Sequence, residues 1–413
     1  MTDRDDDIAS LAEWLDACPT PVHVVERAAA DLTTAGFVSA GTMDGDIPAA
    51  GFLRRDGSII AWRVGTSSGA HRIVGAHTDS PDLRVTPVPD ITGPGWSQLG
   101  IEIYGGVLLN SWLDRDLGIA GRIIDAAGDQ VLFRSAEPVA RIPQLAIHLD
   151  REVNEKGLLL DRQRHMVPVW GTRTASFREW LSDLTGVRDI AAWDAHLFDV
   201  QPARVLGSDR SLFAGARLDN QVSCWAGVRA IAGSASGDNT LVVVLNDHEE
   251  VGSESTTGAA GPLLQHLLEV IDDRHGLGVA ARHDRAARSW CLSADNAHAV
   301  HPNYPERHEP SHAPLPNAGP ALKLNGNQRY ATSPRGAARL RTIAASAGVP
   351  LQTFVSRNNM PCGSTIGPIT ATRLGIEAID IGIPQLSMHS AREMCGAEDP
   401  GHLRRLAAAF LAS

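Results

Sequence analysis

Residues 240–247, TLVVVLND, constrain the fold more than any other stretch: an unbroken apolar, β-branched run that stops abruptly at two polar residues. A strand with one wet face alternates apolar and polar side chains. A strand without alternation is covered on both faces, as in a parallel sheet between layers of helices. The rest of the chain fits that expectation. Residues 72–76 (RIVGA), 289–295 (SWCLSAD), 321–326 (ALKLNG) and 376–382 (IEAIDIG) predict further strands. Residues 6–18, 218–233 and 402–413 carry helical patterning, and Pro19 closes the first of them. Strands alternating with helices predict an α/β domain.

The texture changes between about residues 85 and 210. Short alternating stretches replace the buried runs, and GRIIDAAGDQVLFRS (121–135) predicts a hairpin turning near Gly128 and Asp129. We therefore expect a discontinuous α/β domain, 1–84 and 214–413, interrupted by a β-rich domain over 85–213. A length of 413 residues suits two or three domains of roughly 100–200 residues each. The net charge of −11 argues against nucleic acid and anionic membrane as partners. No apolar run approaches the roughly 20 residues of a membrane helix. The polar, acidic start (MTDRDDDIAS) has no basic or apolar leader region, so a cytoplasmic location is expected. Five dispersed cysteines, Cys18, Cys224, Cys291, Cys362 and Cys395, form no C-x-x-C pair, which fits a reducing compartment. A transition metal would have to rest on histidine and carboxylate.

Residues able to do that stand where predicted strands end or helices begin, the place where open α/β sheets form sites. His77 and Asp79 follow RIVGA as H-x-D, two residues apart and so on one face of an extended chain. That spacing suits a carboxylate orienting a ligating imidazole, although a polar turn at a strand end would read the same way. Glu249 and Glu250 directly follow the 240–247 run. Adjacent acids repel, and are tolerated in water or beside a cation. A zincin helix is excluded because H-E-x-x-H would need a histidine where Gly252 stands. Asp219 opens a predicted helix, where a capping aspartate is equally at home. Asp295 ends SWCLSAD, and His389 follows IEAIDIG in PQLSMHSARE. His and carboxylate suit zinc, and a shared carboxylate could join two metals roughly 3.5–4 Å apart.

The segments HTDSPDLRV, SWLDRDLGIAGR, IPQLAIHLDREVNE, RLDNQVSCWAG, NDHEEVGSESTTGA, SADNAHAVHPNYPERHE, LKLNGNQRYA, MPCGSTIGPI and PQLSMHSARE, in this order from about residue 15 to the C-terminus, resemble the aspartyl aminopeptidases. The resemblance implies a zinc-peptidase-like mixed sheet flanked by helices, with the insertion serving dimerisation. It implies a homododecamer, a tetrahedral cage built from dimers. It implies two zinc ions per subunit, with manganese or cobalt as substitutes: one on His77, Asp219 and Asp295, the other on Asp219, Glu250 and His389, with Asp219 bridging. Glu249 would be the general base acting on a metal-bridged water, and Asp79 the orienter of His77. The substrate would be a peptide with an acidic N-terminal residue, bound by Lys323 and Tyr330. His148 would reach a neighbouring subunit's site, and Ser364 and Thr365 would offer a cradle for an oxygen. His298 and His301 are further candidates for the pocket wall, with no role assigned. The sequence departs from the family's usual residues at Asn110, Ser111, Leu113 and Asn296, none of them a proposed ligand. Two other readings compete: a dizinc aminopeptidase or deacylase of broader specificity, and a non-catalytic assembly scaffold.

Overall fold

The strand Thr240–Asn246 lies inside a nine-stranded sheet, with all seven of its residues buried. The computed structural model describes residues 3–43, 46–93, 95–173, 176–235 and 237–413. The burial of this strand has a simple cause. Leu241, Val243 and Leu245 face one apolar layer, and Val242 and Val244 face another, so no side of the pleat is left for a polar residue. The first layer includes the helices Asp3–Ala17, Pro21–Thr34, Leu218–Ala232, Pro334–Ser346 and Asp399–Leu411; the second includes Leu263–Arg274.

Four strands run parallel at the centre in the order Thr240–Asn246, His71–His77, Trp290–Ala294 and Glu377–Gly382. Antiparallel neighbours flank them, Ser58–Arg63 on one side and Ala321–Leu324 on the other, so the sheet is mixed. The register pairs Asn246 with His77 and Ala294 with Ile381. The carboxyl ends of all four strands therefore come level along one edge.

A second sheet has six antiparallel strands, in the order Gln130–Arg134, Leu117–Asp125, Ile190–Asp199, Asp82–Gly93, Trp96–Tyr104 and Val169–Gly171. Five of the six lie wholly within the stretch where the sequence changes texture, and the sixth, Asp82–Gly93, enters it. The expected hairpin forms its edge, with Gly128 at φ +90° in the turn. The first strand begins at Asp82, earlier than the texture suggests, because the chain runs from the polar turn after His77 directly into it. A third, five-stranded sheet joins Arg204–Leu206, Leu212–Gly215, Glu393–Gly396, Pro384–Leu386 and Ala297–His298. Strands of two to four residues carry too little periodicity to be seen in sequence. The closing helix begins at Asp399, before the expected 402, with Pro400 in its first turn where a missing N–H costs nothing. All five cysteines are unpaired. Among the described residues no helix is long and apolar enough to cross a membrane.

The six-stranded sheet buries one charged triad. His196 Nδ1 lies 2.5 Å from Asp82 Oδ2 and its Nε2 lies 3.0 Å from Asp194 Oδ1. Burial alone would keep the ring neutral, but the two carboxylates push its pKa up to about 9. The folded value exceeds the unfolded one, so this stabilisation is complete below the unfolded pKa of about 6.5 and is lost as pH rises through about 9, amounting to at most about 3 kcal/mol. Urea midpoints measured at about pH 6 and about pH 9.5 should fall for the natural chain and change much less for His196→Gln. Equal losses in both would remove His196 as the cause.

Candidate metal centre

The level edge of the parallel strands gathers the polar residues that end them. His77 is the last residue of its strand, Asp295 follows Ala294, and Glu249 and Glu250 open a short 3-10 turn that starts three residues beyond Asn246. His248 enters that turn in the left-handed region, at φ 62°. Asp219 arrives from the opposite direction, in the first turn of Leu218–Ala232. Its backbone is extended there (φ −82°, ψ 107°) and its peptide bond to Asn220 is cis. Its carboxylate is turned to the other side chains of the cluster. His389 sits in the loop between two strands of the small sheet, at φ 67°.

These side chains converge. His77 Nε2 lies 3.6 Å from Asp219 Oδ1, 3.7 Å from Asp295 Oδ1 and 4.0 Å from Glu249 Oε2. His389 Nε2 lies 3.3 Å from Glu250 Oε2 and 3.6 Å from Asp219 Oδ2. Three groups of side chains bring ligand atoms close enough to hold an ion, His77–Asp219–Asp295, Asp219–Glu250–His389 and His77–Glu249–Glu250. The first two adjoin, with Asp219 offering one oxygen to each. Zinc bonds of about 2.0–2.2 Å in a tetrahedron separate ligand atoms by roughly 3.3–3.6 Å, close to what is seen.

The tautomers fit as well. His77 Nδ1 donates to the backbone carbonyl of Asp79 at 3.0 Å, and His389 Nδ1 donates to the carbonyl of Gly106 at 3.0 Å. Each hydrogen bond places a proton on Nδ1 and turns Nε2 towards the cluster, the orientation that metal-bound histidine requires. Gly106 suits that approach, since a Cβ there would stand 3.0 Å from His389 Nδ1. Asp219 Oδ1 and Glu250 Oε1 are buried without a hydrogen-bond partner. Burial, reinforced by neighbouring carboxylates, pushes Glu249 up to about 7 and Glu250 well above the carboxylate range. Asp295 goes the other way despite its burial, held low by Lys323 and His77. Crowded, buried carboxylate oxygens, two of them unpartnered, beside two imidazole Nε2 atoms are the donor set of a divalent-cation site, and the residues present fit zinc.

Asp79 lies beneath the cluster. Its Oδ1 is 3.4 Å from His77 Nδ1, but its stronger bonds go elsewhere. Its carboxylate accepts from the Glu249 N–H at 3.1 Å, the Glu250 N–H at 3.0 Å and the Tyr104 hydroxyl at 2.7 Å. It thus pins the glutamate turn while its carbonyl orients His77.

Two residues of this frame escape sequence reasoning. Tyr104 is one. Glu393 is the other: only 2 % exposed, it accepts from the Asp219 N–H at 2.9 Å and the His389 N–H at 2.7 Å, joining the two ligand sets. Burial and the Asp219 carboxylate push its pKa up to about 8. Its position four residues after His389 in HSARE was the available signal.

A cavity of about 360 Å³ opens over the cluster, and Lys323, Tyr330, Ser364 and Thr365 all line it. Lys323 is 2 % exposed, with Nζ 3.6 Å from Asp295 Oδ2 and 5.2 Å from the centroid of the Tyr330 ring. The Thr365 hydroxyl is already given to Asp380 at 2.6 Å. His298 lines the same cavity, while His301 lines a neighbouring one. His148 does not join them; it lies exposed in the stretch 143–149 of the insertion.

Known proteins match nearly the whole chain. The family model described as Aminopeptidase I zinc metalloprotease (M18) matches residues 14–411. The probable M18 family aminopeptidase 2 of Streptomyces coelicolor is 49 % identical over 416 aligned residues, covering 97 % of this chain and 96 % of that protein. The cryo-EM structure of the Ape4 and Nbr1 complex superimposes with a TM-score of 0.93 at 33 % identity, covering 99 % of this chain and 86 % of that one. The S. cerevisiae mApe1 dodecamer does so at 0.86 and 28 % identity, covering 99 % and 97 %.

The Glu393 contacts give a test. Glu393→Ala strands two buried N–H donors, so it should cost about 3 kcal/mol in denaturant unfolding and weaken zinc binding about 10–100-fold in a competition titration. Glu393→Gln, which keeps an acceptor, should lose less on both counts. Unchanged zinc affinity in Glu393→Ala would show that the two loops hold their places without it.

Proposed function

Because this chain belongs to the M18 family of zinc aminopeptidases, we propose that its cavity takes peptides whose N-terminal residue is Asp or Glu and releases that residue. The observation that carries the reading is Lys323, a buried cation on the wall of the metal-centre cavity, beside the aromatic face of Tyr330. A desolvated ammonium discriminates strongly for a carboxylate, since a neutral side chain would leave it without a partner on the substrate.

In this proposal His77, Asp219 and Asp295 hold one zinc ion and Asp219, Glu250 and His389 a second, with manganese or cobalt able to substitute. The metals would polarise the scissile carbonyl and lower the pKa of water. Glu249 belongs to neither set and accepts the proton of the attacking water, then delivers it to the leaving amine. A bound cation would neutralise the carboxylates around Glu249 and so favour its ionised form. Asp79 keeps Glu249 in reach by holding its N–H. Burial of the cavity floor keeps the carboxylates in place before substrate arrives, so no reorganisation is needed at the reacting centre.

We also propose the division into a catalytic domain, 1–84 and 214–413, and a dimerisation domain, 85–213, whose exposed apolar side chains Leu145, Ile147 and Leu149 flank His148 and would be covered by another subunit. The assembly would be the tetrahedral dodecamer, with His148 and a neighbour's cavity brought together, and Ser364 and Thr365 lining the substrate's path. A cytoplasmic location is part of the same reading.

One contact favours an aminopeptidase or deacylase of broader specificity: Lys323 already faces Asp295 at 3.6 Å, so part of its charge is spent inside the site. Two variants separate the readings. Glu249→Ala should keep its metal by elemental analysis and lose about 10²–10⁴-fold in kcat. Lys323→Glu should reduce kcat/KM on Asp and Glu peptides about 100-fold or more relative to Leu peptides. An unchanged acidic preference in Lys323→Glu would transfer the reading to the broader enzyme. A zinc-loaded chain that leaves Asp and Glu peptides intact would end the proposal outright.

A further inference from the structure

The metal-centre cavity does not end at its own wall. His298, Tyr330, Gly363 and Met388 separate it from a second cavity of about 270 Å³ and line both. Arg307 and Arg357 line the second chamber, together with the apolar residues Phe354 and Met360. Arg357 is half-buried and has no carboxylate within ion-pair distance among the described residues. Arg307 is exposed and reaches Glu306 only at 4.0 Å. The one acid on the wall, Glu309, is engaged: it accepts from His312 Nδ1 at 2.6 Å and from the Ser311 N–H at 3.1 Å. Free positive charge thus collects beside the site in a chain whose net charge is −11. An unpaired, half-buried guanidinium in a groove is a fork for a carboxylate.

The position of the chamber says which carboxylate. If the N-terminal residue occupies the first cavity, its amine towards the metals and its side chain towards Lys323, the chain beyond the scissile bond must leave through an adjoining space. The second chamber shares four wall residues with the first. We propose that it is the leaving-side subsite, and that Arg357, assisted by Arg307, binds a carboxylate of the residue after the scissile bond. That carboxylate is an acidic side chain at the second position or, in a dipeptide, the chain terminus. The inference rests on the first cavity seating the N-terminal residue, and it extends selectivity one residue further than Lys323 can reach.

The test uses the zinc-loaded full chain and matched substrates. Asp-Glu-Ala-amide, Asp-Gln-Ala-amide and Asp-Lys-Ala-amide vary only the second side chain and carry no terminal carboxylate. Asp-Ala against Asp-Ala-amide varies only the terminus. A parallel series begins with Leu, so that failure of the acidic first-residue reading shows separately from failure of this one. We expect kcat/KM to favour Glu over Gln at the second position, or Asp-Ala over Asp-Ala-amide, by about five- to tenfold. Whichever pair responds identifies the source of the carboxylate. Arg357→Ala should erase that ratio, and Arg357→Glu should invert it in favour of Lys, a reversal that a merely structural role would not produce. Arg357→Gln carries the test if the alanine variant does not fold. Ratios near one for both pairs in the natural chain, or ratios left unchanged by the Arg357 variants, would overturn the proposal.

Discussion

Buried negative charge is the constraint on which the rest of this structure depends. Asp79, Asp219, Glu249, Glu250 and Asp295 crowd the ends of the four parallel strands around the imidazoles of His77 and His389. Carboxylates packed together out of water repel one another and lack hydration. Lys323 offsets one of them. Asp79 is satisfied by two backbone N–H groups and the Tyr104 hydroxyl. The others need a cation, and two oxygens, Asp219 Oδ1 and Glu250 Oε1, are buried without a hydrogen-bond partner. The fold reads as a means of holding that cluster in place until a metal fills it.

The holding is done mainly by backbone groups. Asp79 accepts the N–H groups of Glu249 and Glu250, and Glu393 accepts those of Asp219 and His389. Ser80 donates its hydroxyl to the Asp219 carbonyl at 2.5 Å, and Asn220 donates its amide to the Ala294 carbonyl at 2.8 Å. Gly382 allows the Asp295 backbone to come close, since a Cβ there would lie 1.8 Å from the Asp295 carbonyl oxygen. Ligand loops from five separate parts of the chain are thereby fixed to one another, so their side chains keep one geometry. Rigid support of this kind is what lets a metal site act without rearranging at the moment of reaction.

Much of this was legible in sequence, for reasons that can be stated. The 240–247 run announced a strand covered on both faces because burial had removed every polar residue from it. The polar residues that end the strands stood out against such runs, which is why His77, Glu249, Glu250 and Asp295 could be named together. Asp219 and His389 were harder: one resembles a helix cap and the other a loop histidine, so their positions made them candidates and the family likeness gave them their roles. Glu393 and Tyr104 were missed because they act on backbone and carboxylate partners that are distant in sequence. Asn296, a departure from the family's usual residue, acquires a physical account: its amide donates to the Leu218 carbonyl at 2.8 Å and to Gln385 Oε1 at 3.0 Å, beside the backbone of Asp219. The short strands of the third sheet fell below any detectable period.

Metal stoichiometry is the most direct test of the central claim, that Asp219 is shared between two adjoining cation sites. Elemental analysis after equilibration with zinc should give two ions per chain for the natural protein, fewer than one for Asp219→Ala, and about one for His389→Ala. Two ions retained without the Asp219 carboxylate, or a natural chain that binds no zinc, would contradict the account.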